Sequence, residues 1–203
     1  MSVVRDRLLR TAAELFYREG INATGVDRVV EKSGVSKPSL YSHFRSKSRL
    51  VTAALTRRHE QRVAELGQRV AEAGPDPYEQ LLAVFTWLEQ LHAHIASGGC
   101  AFLNAAAEIR DPHDPARVVI REEKRWFREL LTDLARRIGV RDPDRVGAEL
   151  MLLVDGANSK VLVDGDHAAA ALARGAAITL LRADLPGQQP QRPGLGAAPA
   201  SLQ

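Results

Sequence analysis

The sequence predicts an all-α protein of about nine helices: a three-helix N-terminal unit with a helix-turn-helix, followed by a larger helical bundle. Three observations support this. Apolar residues recur at three- and four-residue spacing along most of the 203 residues. Glycine and proline separate the periodic stretches, as at Gly20 and at Gly74-Pro75. Serine, threonine and aspartate precede several of these stretches, where they can cap helix N-termini.

The first helix is predicted over residues 3–19, and the second is predicted to end at Ser33-Gly34. The first has apolar residues at helical spacing from Leu8 to Phe16, and Gly20 closes it. Thr24 and Asp27 have the spacing of a capping box, with Thr24 as the N-cap of the second helix. These two helices, a glycine turn and a third helix form the pattern of a helix-turn-helix.

The third helix, residues 36–44, has an outer face suited to a polyanion. Ser36 is a good N-cap, and Pro38 in the first turn loses no hydrogen bond. The positions between its apolar residues carry cationic, hydroxyl and imidazole groups and no acid, which suits phosphates and the major groove. These outward positions are Lys37, Ser39, Tyr41, Ser42 and His43. The alternative is an ordinary solvated helix face.

The charge distribution favours nucleic acid as the partner of the N-terminal unit. Residues 1–49 hold ten Lys and Arg against five Asp and Glu, a net charge of +5 in a chain whose total is +3. A single cysteine excludes an internal disulfide, and we therefore expect a reducing, cytoplasmic location. The N-terminus enters an amphipathic helix without a signal-peptide core, and we expect no membrane partner because no apolar run approaches about 20 residues.

The remaining periodicity predicts six more helices and a tail. The helices cover residues 48–73, 78–96, 100–110, 116–138, 143–163 and 166–184. Lys47 precedes the first of them, where its charge and the free backbone N–H groups can hold a phosphate. The last two are rich in alanine and leucine and are candidates for a four-helix dimer interface, although they could instead be internal core. Residues 186–203 are rich in Pro, Gly and Gln, and we expect them to be disordered.

The sequence offers little support for an enzyme. It contains no HExxH, CxxC or glycine-rich phosphate loop, and His92 and His94 face different directions on a helix. We therefore expect no catalytic residues, no metal site and no cofactor. Aromatic rings and isolated polar groups on helices that should pack together suggest a small-molecule pocket, although most could be plain core. These candidates are Trp87, Cys100, Phe102, Asn104, Glu108, Trp126 and Asn158. Cys100 could be inert or a sensing thiol.

Residues 12–51 resemble the DNA-binding domain of the tetracycline-repressor (TetR) family of bacterial transcription regulators. The resemblance rests on the following residues, in order: Leu15-Phe16, Gly20, Thr24, Val26, Gly34-Val35-Ser36, Leu40-Tyr41, His43-Phe44 and Lys47. It implies a DNA-binding domain over residues 1–47 and a ligand-binding and dimerisation domain over residues 48–185. It also implies a homodimer formed through the last two helices, a palindromic double-stranded operator and an unidentified small-molecule ligand.

Carried over by position, the resemblance implies one set of DNA contacts. These are Thr24, Arg28, Ser36, Lys37, Pro38, Ser39, Tyr41, Ser42, His43 and Lys47. Asp27 departs from the basic or polar residue that many relatives have there, and Arg28 could substitute for it. The expected function is a repressor released from DNA by a ligand. The alternatives are a helical small-molecule-binding protein or enzyme with a non-functional head, and a ligand-independent DNA-binding protein.

Overall fold

The computed structural model describes residues 3–94 and 98–186, and that part of the chain is all-helical. Its nine helices are α1 Val3–Arg18, α2 Val26–Ser33, α3 Lys37–Phe44, α4 Lys47–Glu72, α5 Pro77–His94, α6 Ala101–Glu108, α7 Pro115–Ile138, α8 Pro143–Asp164 and α9 Ala169–Asp184. The predicted fold class is therefore confirmed. The expectation of a disordered tail and of an α5 end at residue 96 lies outside the described residues.

Local sequence chemistry accounts for most helix ends. The side chains of Ser46, Asp114 and Asp142 accept backbone N–H groups at the starts of α4, α7 and α8. Gly139 and Gly165 take the left-handed conformation that ends α7 and α8. α9 begins three residues later than predicted, since the Asp166 side chain holds the turn before it by accepting the backbone N–H of Ala168.

The predicted capping box at the start of α2 is wrong. Gly25 is the N-cap and makes no side-chain cap hydrogen bond. Thr24 is fully buried, and its hydroxyl donates to the carbonyl of Gly20 at 2.6 Å. Thr24 therefore stabilises the loop between α1 and α2 and does not cap the helix that follows.

Two apolar clusters organise the molecule. The first joins α1, α2 and α3 to the N-terminal half of α4, and continues into α6 and the start of α7 through Cys100, Phe102, Ala116 and Ile120. The second fills the body between the C-terminal half of α4 and helices α5, α7, α8 and α9. The 26 residues of α4 contribute to both clusters, and at 1.5 Å per residue this helix is about 39 Å long. A movement of α4 would therefore displace residues of both clusters.

The outer faces of α8 and α9 carry apolar side chains that one copy of the chain leaves exposed. Leu152 and Val163 on α8 are 71% and 74% exposed, and Leu172 on α9 is 70% exposed. Leu172 therefore points outward from the helix bundle. Of the described helices, none is long and apolar enough to cross a membrane.

Candidate nucleic-acid interface and ligand site

The α2–turn–α3 unit presents α3 on the surface with a well-anchored inner side. Gly34 adopts φ 65°, which lets the chain turn sharply after α2. The Ser36 hydroxyl accepts the backbone N–H of Ser39 at 3.4 Å and caps α3, as predicted. Leu40 and Phe44 are buried in the head, by which we mean the N-terminal unit of α1, α2 and α3. The register of α3 is therefore fixed, and its other face is free to meet a partner.

The outer face of α3 is polar, cationic and without acid. Lys37, Pro38, Tyr41 and Ser42 are exposed, and Tyr41 shows 41% of its surface. Ser39 and His43 are partly buried at the edges of this face. Ser36, Lys37, Pro38, Ser39, Tyr41, Ser42 and His43 thus form one continuous patch, which we call the α3 surface.

Two residues predicted to contact DNA are otherwise engaged. Thr24 is buried and cannot reach a partner in this conformation, so its assignment is corrected. Arg28 forms ion pairs with Glu19 at 3.3 Å and Glu31 at 3.2 Å, which raise the pKa of its guanidinium. Its charge is therefore largely balanced within the head, and Arg28 is a weaker candidate than its position suggests.

One residue of the α3 surface, Lys37, forms an ion pair with an acid of α2. Lys37 Nζ lies 2.7 Å from Asp27 Oδ1, and this hydrogen bond raises the pKa of Lys37. Both side chains are largely exposed, at 50% and 81%. Asp27 therefore binds the one lysine of α3.

Two cations follow α3 at its junction with α4. Lys47 is the first residue of α4, as its predicted role at a helix start requires. Arg45 is exposed and has φ 59°, the only left-handed residue other than glycine in the described chain. Arg45 was not among the residues predicted from the sequence to contact DNA. Its backbone conformation sets its position, and a positive φ at an arginine leaves no signal in composition or spacing.

The predicted ligand-binding residues fall into three separate places. Trp87, Phe102 and Trp126 surround a buried charge cluster, in which Glu123 binds Arg62 at 2.6 Å and His59 at 2.5 Å. The Arg62 guanidinium lies over the rings of Trp87 and Phe102, at 5.5 and 5.1 Å from their centres. Trp126 contacts the His59 ring edge-on. In this conformation these aromatic rings pack around side chains of the protein itself.

Cys100 lies beside the same cluster. Burial acts to raise the pKa of its thiol, but the charges of Arg62 and Lys124 and the N–H groups of Leu103 and Phe102 outweigh burial and lower it. Lys124 Nζ is 3.9 Å from the sulfur. Cys100 thus stands in a positively charged, solvent-excluded environment.

Asn158 occupies the second place, between α5 and α8. Its amide donates to the carbonyl of Val154, and its Oδ1 lies 3.1 Å from His92 Nε2. This assigns the proton of neutral His92 to Nε2. The other ring nitrogen, Nδ1, is buried with no partner among the described residues, and burial lowers the pKa of His92. Asn158 therefore orients a buried histidine.

Asn104 and Glu108 occupy the third place, where α6 meets the head. The Glu108 carboxylate accepts the backbone N–H groups of Ile21 at 3.0 Å and Asn22 at 2.7 Å. Nearby, the Tyr17 hydroxyl donates to the carbonyl of Gly99 at 3.1 Å. We call these contacts the α6–head joint. Through them, a displacement of α6 would be transmitted to the turn between α1 and α2.

The chain was compared with known proteins. Residues 8–54 match the family described as "Bacterial regulatory proteins, tetR family", and residues 77–177 match "Tetracyclin repressor-like, C-terminal domain". Among solved structures it is similar to SCO4454, a TetR-family transcriptional regulator from Streptomyces coelicolor, with 30% identity and a TM-score of 0.80. That match covers 89% of this chain and 95% of the other.

A second solved structure is similar along nearly its whole length. A TetR regulator (sav143) from Streptomyces avermitilis is 33% identical with a TM-score of 0.80, over 90% of this chain and 98% of that one. A curated relative, the transcriptional activator FasR of Mycolicibacterium smegmatis, is 42% identical over 64 residues, 32% of this chain.

Another curated relative, the transcriptional repressor KstR2 from the same organism, is 33% identical over 95 residues, 45% of this chain. The chain spans only 29% and 46% of these two curated relatives. The two solved structures match almost end to end at 30% identity or more, and the helix-turn-helix lies where the family profile places it. The chain belongs to the TetR family of transcriptional regulators.

Proposed function

We propose that this chain is a homodimeric repressor that binds a palindromic operator through the α3 surface and leaves it when a small molecule binds the body. The observation that carries the proposal is the α3 surface itself, an exposed and acid-free helix face held in register by a capped N-terminus and two buried anchors. Arg45 and Lys47 extend its positive charge along the start of α4.

The exposed apolar side chains on α8 and α9 support dimerisation through these helices. Leu152, Val163 and Leu172 each leave more than two thirds of their surface in water in one copy of the chain. A second copy would remove that surface from water and join the two pairs of helices into a four-helix interface. Two heads would then reach successive major grooves, about 34–36 Å apart.

Release would follow from a change in the separation of the heads. α4 connects the two apolar clusters, and the α6–head joint connects α6 to the turn between α1 and α2. A ligand that prefers the displaced arrangement would lower operator affinity only by its differential affinity for the two states. A hundredfold release requires a difference of about 2.7 kcal/mol.

The test is selection of genomic DNA fragments by the purified chain, followed by affinity measurements on the selected fragment across a salt series. Tyr41→Ala should weaken binding by roughly 1–3 kcal/mol. Lys47→Ala should weaken binding to all sequences and flatten the salt slope by about one unit. Arg137→Ala, which removes the same charge from an exposed position on α7, is the matched control.

Two results would contradict the proposal. Failure to enrich any fragment would favour the alternative of a small-molecule-binding protein with a non-functional head. Wild-type affinity in Tyr41→Ala would show that the α3 surface is not the surface that meets DNA.

A further inference from the structure

Arg58 on α4 is a partly buried cation that has no direct carboxylate partner among the described residues. Its guanidinium lies 4.7 Å from the centre of the Tyr17 ring, and it forms no ion pair with any carboxylate of residues 3–94 and 98–186. Burial and the charge of Arg62 lower its pKa. Arg62, one turn further along α4, is by contrast neutralised by Glu123. A partly buried cation without a carboxylate partner is incompletely compensated, and an anion from outside the chain would compensate it.

Arg58 stands between a small apolar cavity and a larger open groove. The cavity, about 30 Å³, lies between α1 of the head and helices α4 and α6. Its walls are mainly apolar, from Ala13, Phe16, Ile21, Val51, Ala54 and Leu55, and they also include Glu108, whose carboxylate is bound to backbone N–H groups of the turn between α1 and α2. The groove, about 850 Å³, runs outward past Glu14, Arg18 and His94. Both spaces share Ala13, Tyr17, Arg58 and Asn104, so a molecule entering from the groove reaches the cavity past Arg58.

A second group at this position also lacks a partner. Asn104 Nδ2 donates to the carbonyl of Gly98 at 2.7 Å, which fixes the amide, while Asn104 Oδ1 is buried and accepts no hydrogen bond from the described residues. A buried acceptor without a donor is destabilising. A hydroxyl of a ligand, or a water that enters with it, would satisfy this oxygen. Glu14, the nearest acid of the groove, is already paired with Arg18 at 3.4 Å.

We propose that Arg58 binds the carboxylate of a small apolar carboxylic acid whose hydrocarbon part enters the cavity between α1 and helices α4 and α6. The inference rests on the proposed ligand-controlled function and names the chemical class of ligand and its place. A guanidinium and a carboxylate form paired, charge-assisted hydrogen bonds. The apolar cavity walls suit a hydrocarbon chain or ring.

The size of the cavity makes this site regulatory. At about 30 Å³ it is far smaller than a drug-sized ligand pocket, so a chain of several carbons must separate the head from α4 and α6 to enter it. That separation would strain the α6–head joint, where Glu108 and Tyr17 hold the turn between α1 and α2 and the residues before α6. Ligand entry would therefore change the orientation of the head.

The test is isothermal titration of the full chain with octanoate, 3-hydroxyoctanoate and phenylacetate, with 1-octanol as the uncharged control. At least one acid should bind, and octanol should bind at least about tenfold more weakly. Arg58→Met, which keeps the apolar contact with Tyr17, should lose acid binding by a similar factor. Arg18→Met, which removes an exposed cation of the same groove that is already paired, should bind the acids as the wild type does.

Thermal melting separates loss of a ligand contact from loss of folding. Because Arg58 is unpaired, Arg58→Met without ligand should melt at or above the wild-type temperature. The proposal is overturned if none of the three acids binds, if octanol binds equally well, or if Arg58→Met retains acid binding. DNA binding by the ligand-free chain is measured in parallel. If the ligand-free chain binds DNA but none of the acids binds the chain, only this ligand site is rejected. If the ligand-free chain does not bind DNA, the proposed function is rejected.

Discussion

At the scale of single residues, the ion pair between Asp27 and Lys37 sets how much charge α3 offers to DNA. Lys37 Nζ is held 2.7 Å from Asp27 Oδ1 in the free protein, so a phosphate must compete with a carboxylate for it. The pair is exposed, and salt in solution screens it. We therefore expect Asp27 to moderate DNA binding without preventing it.

Asp27→Asn should tighten DNA binding at low salt and steepen the dependence of log affinity on log salt by up to about one unit. The reason is that one more cation becomes free to displace a counterion from the duplex. Fluorescence anisotropy across a salt series measures both quantities. Asp76→Asn, at an exposed acid before α5, is the control. A slope identical to that of the wild type would mean that Lys37 contacts no phosphate.

His92 should make the stability of the body depend on pH. Its pKa is lowered by burial, and its Nδ1 has no acceptor nearby among the described residues, whereas the unfolded chain titrates near about 6.5. Below that value the unfolded state binds a proton that the folded state resists, so stability falls as the pH drops through 6.5. His167, whose Nδ1 lies 2.7 Å from the His92 carbonyl oxygen, also acts to lower the pKa of His92.

Urea unfolding at pH 7.5, 6.5 and 5.5 tests this dependence. His92→Gln keeps a donor toward Asn158 but cannot be protonated, so it should lose less stability than the wild type between pH 7.5 and 5.5. Parallel losses in the two proteins would assign the pH dependence to other groups.

Residue-scale features also show what sequence could and could not reveal. The N-cap at Ser36, the left-handed Gly34 and the outward face of α3 follow from local chemistry, which the sequence determines directly. The prediction of Thr24 as the N-cap of α2 was wrong because the burial of Thr24 depends on the packing of α1 against the loop. A threonine before a helix is equally compatible with a cap. Arg58 was missed because unpaired charge is visible only once neighbouring helices are placed.

At the scale of elements, α6 is a second connection, beside α4, between the head and the rest of the molecule. It is only eight residues long, yet its last residue, Glu108, holds two backbone N–H groups of the head. Gly20 faces this carboxylate with φ 90°, and an added Cβ would lie 3.4 Å from both oxygens. The loop between α1 and α2 is thus shaped to receive Glu108.

Glu108→Ala should lower the free energy of unfolding by about 1–2 kcal/mol, since two backbone donors lose a charged acceptor at a site that is only partly buried. It should also weaken binding to a full operator more than binding to a single half-site, because the orientation of the heads is less restricted. Urea unfolding and half-site titrations measure the two effects. Glu122→Ala, on the exposed side of α7, should change neither.

The order of the helices was more predictable than which of their faces come together. Nine helices were expected and nine are present in the described residues, because apolar spacing and glycine or proline stops report on elements independently. The seven candidate ligand residues instead separate into three places. Spacing places a side chain on a helix face, but only the packing of α4, α5, α6 and α7 decides which faces meet.

At the scale of the whole molecule, we expect the exposed apolar face of α8 and α9 to decide whether two heads act together. Leu172→Glu places a charge in the proposed interface and should convert the dimer to a monomer at micromolar concentration, without unfolding it, because Leu172 is 70% exposed in one copy. Sedimentation velocity measures the change. Val118→Glu, at a 46% exposed valine on α7, should remain dimeric. Dimers in both variants would place the interface elsewhere.

The proposed function requires two α3 surfaces, held by one dimer, on one face of the duplex. Insertion of about five base pairs at the centre of a selected operator rotates one half-site by roughly half a turn relative to the other. The most direct measurement is the affinity and stoichiometry of the full chain on the original and the lengthened operator. If the proposed function is right, two chains bind each original duplex, and the affinity for the lengthened one is at least about a hundredfold lower. Equal affinity for both duplexes, or one chain per duplex, would contradict it.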